Sequence, residues 1–298
     1  MTTLCLGEAL VDLLCRRPVE DLADVDAFVP LFGGAVANVA VAAARHGARV
    51  ALAGGAGEDG WGEWLRDRIE DEGVELRWFS LVPGAPTPIA LVTVNGAGEP
   101  SYRICGEALG PVLQALRPRL PEAIAASEAL FFGSNTLVGE GEREVTMEAR
   151  KLALERDLPV IFDPNLRLER WPSRAEAAAS ANACVPGALL VRATRNEAAL
   201  MTGEEDPELA ALALLKAGAR LVVITLGAEG AILRGELEAE AEGPEVEVVS
   251  TVGAGDVLTG VLLARLAGTG FYPPAIAASL ADAVRAAGEA CRRWGAFE

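Results

Sequence analysis

The chain has 298 residues, 51% hydrophobic and 23% charged, the composition of a globular protein with one large domain or two ordinary ones. With 26 Lys+Arg against 43 Asp+Glu, the net charge of −17 argues against nucleic acid or an anionic membrane as the main partner, because both are held by clustered cations. A small anionic ligand stays compatible, since a local site reads it. A single histidine, His46, excludes HExxH-type and other paired-histidine zinc sites. The lysines, Lys151 and Lys216, stand outside any GxxxxGK[ST] phosphate loop. Cys5, Cys15, Cys105, Cys184 and Cys291 are odd in number and lack CxxC spacing, which reads as reduced thiols in a cytoplasmic protein. The opening MTTLCLGEALVDLL has no basic flank and carries Glu8 and Asp12, so it is not expected to be a signal peptide. No apolar run reaches the roughly 18–20 residues of a membrane helix.

In chain order, short β-branched runs alternate with Ala-rich helical stretches. Strands are expected at 4–8, 49–53, 130–133, 160–163, 188–191 and 221–225. Helices are expected at 35–46, 60–72, 143–156, 174–184, 207–217, 254–267 and 274–292. Continuous apolar strands between amphipathic helices predict an α/β fold whose mainly parallel sheet is covered on both faces. Two stretches break the rhythm: 14–31, and 75–104 with its Asn95-Gly96 turn. They read as strands and turns of a small β appendage, built from about 14–31 and 75–106, on a single α/β domain spanning 1–298. Residues 235–249 are also strand-like, and the acidic run 236–247 is expected as a solvated hairpin.

Four glycine-bearing segments carry the candidate chemistry. Gly33 and Gly34 precede a helix whose first turn presents Asn38; paired glycines there let backbone approach a ligand, or simply make a turn. Residues 55–60 form a GxGxxG after a strand, which invites a dinucleotide reading. Because no clean βαβ unit follows, a strand-to-helix turn with Asp59 at the N-cap is the simpler reading. Thr225, Gly227 and Gly230 lie in a turn that closes two strands or seats the edge of a nucleotide. The strongest segment is Ser250-Thr251-Val252-Gly253-Ala254-Gly255-Asp256, expected to run from a strand at 246–249 into a long helix. A glycine loop opening a helix offers unpaired N–H groups and a positive dipole end, an anion site. Asp256 in that first turn is placed either to complement the dipole or to take a proton from an attacking hydroxyl while the N–H groups stabilise a moving phosphoryl.

With these residues in view, the chain resembles the ribokinase-like (PfkB-type) carbohydrate kinases almost end to end. The resemblance rests on GEALVD (7–12), GGAVANVAVAAARHG (33–47), GAGEDGWG (55–62), FDPNLRLERW (162–171), ITLGAEGA (224–231) and TVGAGDVLTG (251–260), in order. The first and fourth look most like fructokinases and 2-keto-3-deoxygluconate kinases. The resemblance implies a three-layer α/β sandwich with a small β-sheet lid over the sugar. It implies Asp256 as base, with Gly253, Ala254 and Gly255 as the anion hole. Asp12, Gly33, Gly34, Asn38, Arg103, Asn165 and Arg167 would lie at the sugar and its phosphates, and Asn196, Thr225, Gly227 and Gly230 at the nucleotide. ATP with Mg²⁺ would be the donor, and a homodimer through lid strands is compatible.

Two positions depart from that family's pattern. The NxxE motif reads Asn196-Glu197-Ala198-Ala199, so its acid is replaced by Ala199; Glu197 sits two positions before Ala199, about 200° round a helix, and is not expected to replace it. Ser250 stands where the resemblance implies an Asp that helps hold a monovalent cation, which puts K⁺ activation in doubt. The metal ligands are unassigned. His46 is expected to cap its helix, and Trp61 and Trp64 to pack; Trp171 either packs or stacks near the site. The implied activity is ATP-dependent phosphorylation of a primary hydroxyl on a small keto-sugar or keto-sugar acid. Arg103 and Arg167 together would clasp a carboxylate in the second case. A catalytically weakened sugar- or nucleotide-binding protein is the alternative class.

Overall fold

A computed structural model describes residues 2–106 and 109–297. The chain enters the main layer with β1 (Thr2–Leu6) and leaves it at once for β2 (Leu10–Pro18) and β3 (Val29–Gly33) of a second, smaller sheet. Helix α1 (Ala35–Arg45) leads back to β4 (Arg49–Gly57), α2 (Gly60–Asp71) and β5 (Phe79–Val82). The hairpin β6 (Ile89–Val94) and β7 (Pro100–Cys105) completes the small sheet. After α3 (Leu109–Leu116) and α4 (Leu120–Ala125), strand and helix alternate through β8 (Ala129–Gly133), α5 (Glu140–Leu154), β9 (Val160–Asp163), α6 (Arg174–Asn182) and β10 (Leu190–Thr194). Helices α7 (Arg195–Thr202) and α8 (Pro207–Lys216) precede β11 (Leu221–Thr225). The hairpin β12 (Ala231–Gly235) and β13 (Ala239–Ala241), then α9 (Ala254–Gly268) and α10 (Pro274–Ala290), close the fold.

The main sheet runs β13-β12-β11-β10-β9-β8-β1-β4-β5, parallel except for the β12–β13 hairpin at one edge. Its strands carry apolar residues on both sides because both sides are covered. Leu4, Leu6, Phe132, Phe162, Val222 and Ile224 face a core made with α3 to α8. Cys5, Phe131, Ile161, Leu221 and Val223 face a second core made with α1, α2, α9 and α10. Helix α9 is buried nearly all round between α1 and α10, which explains why its sequence lacks a polar stripe. Among the described residues, no helix is long and apolar enough to cross a membrane.

The expected strands and helices reappear with ends shifted by a few residues, and the β appendage is real but differently bounded. Strand β5 pairs in parallel with β4, so the stretch around 75–88 extends the main sheet instead of the small one. The small sheet, ordered β3-β2-β6-β7, begins at Leu10 and so includes Asp12. The strand expected at 246–249 does not form: the Val249 and Ser250 N–H groups both donate to the Cys291 carbonyl, beyond the end of α10. Helices α3, α4 and α7 were not expected. For α7 the signal was present, since Thr194 and Glu197 form a capping box.

Candidate active site

The parallel strands β8 to β11 end at one edge of the main sheet, and α9 starts above it, the position where open α/β sheets hold ligands. Gly253 caps α9 with φ of 72°, and a Cβ there would lie 2.5 Å from the Ala296 side chain. The Ala254 N–H already donates to the Thr251 carbonyl at 3.2 Å, so it is not an open donor of the first turn. The Gly255 and Asp256 N–H groups have no acceptor among the described residues.

Asp256 is 6% exposed and held from two sides. Asn38 Nδ2 of α1 donates to its Oδ2 at 2.8 Å, and Asn165 Nδ2, from the loop after β9, donates to its Oδ1 at 3.1 Å. Asn165 takes a left-handed φ of 38° to reach there. Burial pushes the Asp256 carboxyl up to about 7, against the opposing pull of the Asn38 hydrogen bond and the Arg167 cation. Asp12 on β2 is likewise pushed up to about 7, by burial and then by the negative charge of Asp256, with Arg167 pulling it down. The negative charge of Asp256 thus disfavours ionisation of Asp12.

Gly33 and Gly34 bring these parts together. A Cβ on Gly33 would fall 2.2 Å from Asp12 Oδ2, and one on Gly34, whose φ is 95°, would fall 2.6 Å from the Glu8 carbonyl oxygen. Asp12 and Asn38 line a cavity of about 330 Å³ with Phe32, Trp64, Val252 and Phe297. Phe297 stacks on Phe32 at 5.5 Å, so this cavity has an aromatic wall, and Trp64, expected only to pack, is part of it. Gly253, Ala254, Gly255 and Asp256 line a second, larger cavity of about 1190 Å³ with Asn165 and Arg167. Asn196, Thr225, Gly227 and Gly230 line the same cavity. The Asn38–Asp256 hydrogen bond joins the two spaces, because Asn38 lines the smaller and Asp256 the larger.

Three expected residues line neither cavity: Gly33 and Gly34, packed against Asp12 and the Glu8 carbonyl, and Arg103. Arg103 is exposed and lines neither cavity, because alternation along β7 turns its side chain to the outer face of the small sheet. Its neighbour Tyr102 takes the inner position, lines the larger cavity, and receives the Arg167 guanidinium over its ring at 4.9 Å. The carboxylate clasp expected from Arg103 and Arg167 is therefore not formed. Both Glu197 oxygens are engaged, Oε1 by the Leu166 N–H at 2.7 Å and Oε2 by the Thr194 N–H and hydroxyl at 2.8 Å. Ala199 offers no ligand atom, and the described residues contain no group of three or more His, Cys, Asp or Glu able to hold a metal. The described residues thus form no all-protein cage for a divalent cation. The Ser250 hydroxyl is buried and accepts the Val252 N–H at 3.1 Å.

The remaining motifs have structural jobs. Asp59 caps α2 through the Gly62 N–H and binds Thr87, which accounts for the GxGxxG run. His46 caps α1, its Nδ1 2.8 Å from the Ala42 carbonyl oxygen, and Trp171 packs in the core. Sequence reasoning missed Arg192, Asp163 and Thr259, which sit beneath Gly255; it also missed Tyr102, which strand alternation in PSYRIC would have separated from Arg103.

The chain matches the family described as pfkB family carbohydrate kinase over residues 2–295. It is 30% identical over 263 residues to probable fructokinase-4 of Arabidopsis thaliana, covering 87% of this chain and 80% of that protein. Fructokinase-1 of Oryza sativa subsp. japonica is 31% identical over 262 residues, covering 87% and 81%. Among solved structures, a double mutant of Vibrio cholerae O395 fructokinase with fructose, ADP and potassium superposes with a TM-score of 0.86 at 28% identity, covering 99% of this chain and 94% of that one. Aminoimidazole riboside kinase of Salmonella enterica, with its riboside and an ATP analogue, gives 0.84 at 26% identity, covering 100% and 95%. The chain therefore belongs to the pfkB family of carbohydrate kinases and is a phosphotransferase acting on sugar hydroxyls.

Proposed function

We propose that the chain transfers the terminal phosphoryl of ATP to a primary hydroxyl of a small ketose, with fructose as the first candidate. The observation that carries this reading is Asp256, buried between Asn38 and Asn165 at the start of α9 and beside two open backbone N–H groups. In its ionised form Asp256 takes the proton of the sugar hydroxyl as the oxygen attacks the terminal phosphorus and ADP leaves. The α9 N-terminus, which Gly253 and Ala254 open and where the Gly255 and Asp256 N–H groups are free among the described residues, stabilises the charge on the moving phosphoryl. Asp12 and the backbone at Gly33 and Gly34 bind sugar hydroxyls, and the side-chain Oδ1 of Asn38, buried without a partner among the described residues, offers a further acceptor. Asn165 and Arg167 stand where sugar and phosphate meet, while Asn196, Thr225, Gly227 and Gly230 face the nucleotide. A divalent cation would enter with the nucleotide phosphates; no step is assigned to it. The small sheet acts as a lid that keeps water from the phosphoryl.

The outward turn of Arg103 weakens the keto-sugar acid reading, which keeps only Arg167 of its two expected cations at a cavity. A coupled ADP-release assay on fructose, 2-keto-3-deoxygluconate and a purine-like riboside separates the substrates, the riboside being included for the aromatic wall of the smaller cavity. Turnover on fructose with the Asp256→Asn variant as inactive control is the expected result. Measurable ATP binding without turnover on any sugar would support the binding-protein alternative.

A further inference from the structure

Beneath the anion cradle lies a buried cation that the mechanism above does not use. Arg192 on β10 is 5% exposed and lines the larger cavity. Its NH1 group donates to Asp163 Oδ2 at 3.2 Å and its NH2 group to Thr225 Oγ1 at 2.9 Å, while its Nε has no partner. Both terminal nitrogens would lie 2.8 Å from a Cβ on Gly255, so the guanidinium is set directly against the second glycine of the cradle. The Thr259 hydroxyl, one turn along α9, lies 2.8 Å from Asp163 Oδ2 and 3.0 Å from the Gly255 carbonyl oxygen. Arg192, Asp163 and Thr259 thus tie the ends of β9, β10 and β11 to the first two turns of α9.

We propose that Arg192 is a positioning residue for phosphoryl transfer, a fixed cation that holds Gly255 in place and raises the potential of the cradle from below. A buried ion pair seldom adds stability over an apolar pair of like volume, so its presence under an anion site points to a use there. A guanidinium is suited to it, because its planar fork can grip Asp163 and Thr225 at once and still present charge to the backbone above. Asp163 offsets part of that charge, but its Oδ1 is unpartnered and burial pushes its carboxyl up, with Arg192 pulling it down. The Arg192 charge also acts on Asp256, alongside Asp12, Asp163 and Arg167.

The inference rests on the phosphotransferase reading but not on the identity of the sugar. The test titrates ATP and ADP, by calorimetry, into wild type, Arg192→Lys, Arg192→Gln and the double variant Arg192→Gln with Asp163→Asn. The double variant removes both buried charges and stands in if the single one fails to fold. Loss of the cation is expected to weaken ATP by ~10-fold or more and ADP by less than ~2-fold, with Arg192→Lys close to wild type; where a sugar is turned over, kcat falls ~10²-fold. Equal weakening of ATP and ADP, or a double variant restored to wild-type ATP affinity, would show that Arg192 only balances Asp163. Because ATP-over-ADP preference is read without sugar, failure of the ketose assignment leaves this result interpretable.

Discussion

Two regions face each other across Asp256 and are built on different principles. On the main-sheet side the site is mostly backbone and fully buried side chains: the α9 N-terminus, Asn38, Asn165 and Arg192 lock one another by hydrogen bonds of about 2.8 to 3.2 Å. On the small-sheet side, β7 half-buries alternate residues, so Tyr102 faces inward at the larger cavity while its neighbour Arg103 is exposed. The first region is set by chain geometry that few sequences can satisfy. The second rests on single side chains of one strand, which a substitution changes without moving the start of α9.

Substitutions that contrast the two sides test that distinction. The largest effect is expected at Asp256→Asn, which removes the base and should cut kcat by ~10²- to ~10⁴-fold while calorimetric sugar affinity changes little. Next is Gly253→Val: a side chain at φ of 72° against Ala296 displaces the α9 start, and turnover should fall ~10-fold or more with the thermal midpoint lowered. On the small sheet the pair Tyr102→Ala and Arg103→Ala should split, the first raising the sugar KM by roughly 10-fold and the second by less than ~2-fold. Equal effects would place Arg103 in the site.

The smallest effect concerns stability. The Asp256 carboxyl is raised in the fold, to about 7, from its ordinary 3.8, so the folded chain holds a proton that the unfolded chain has lost between those values. Its contribution is favourable in acid and is lost as pH rises through about 7. Asp256→Asn should therefore gain on the order of 1–2 kcal/mol over wild type near pH 8 and less near pH 5, read as a difference in thermal midpoints. A gain independent of pH would point to a cause other than the buried charge.

The same contrast explains what the sequence made legible. The cradle, Asp256 and Asn38 were offered by glycine spacing and helix starts, which leave few alternatives for the backbone, whereas Asn165 was offered by the family resemblance alone. Arg103 was misplaced because a family likeness names a residue but not the side of the strand it occupies; the alternation of Tyr102 and Ile104 with it carried that information. Arg192 stayed hidden inside an apolar strand, where a lone charge gives no hint of Gly255, brought close only where the chain returns from the β12–β13 hairpin into α9. The 246–249 strand failed because its partner is a single carbonyl beyond α10, a tertiary contact that propensity does not encode.

The measurement closest to the central claim is the pH dependence of kcat/KM for the phosphorylated sugar, from about pH 5 to about pH 9. A base that must be ionised, and whose carboxyl is held up to about 7, predicts a rate that climbs through the acid range and levels off above neutrality. A profile already flat at about pH 5 would mean that no buried carboxyl of this kind takes the hydroxyl proton.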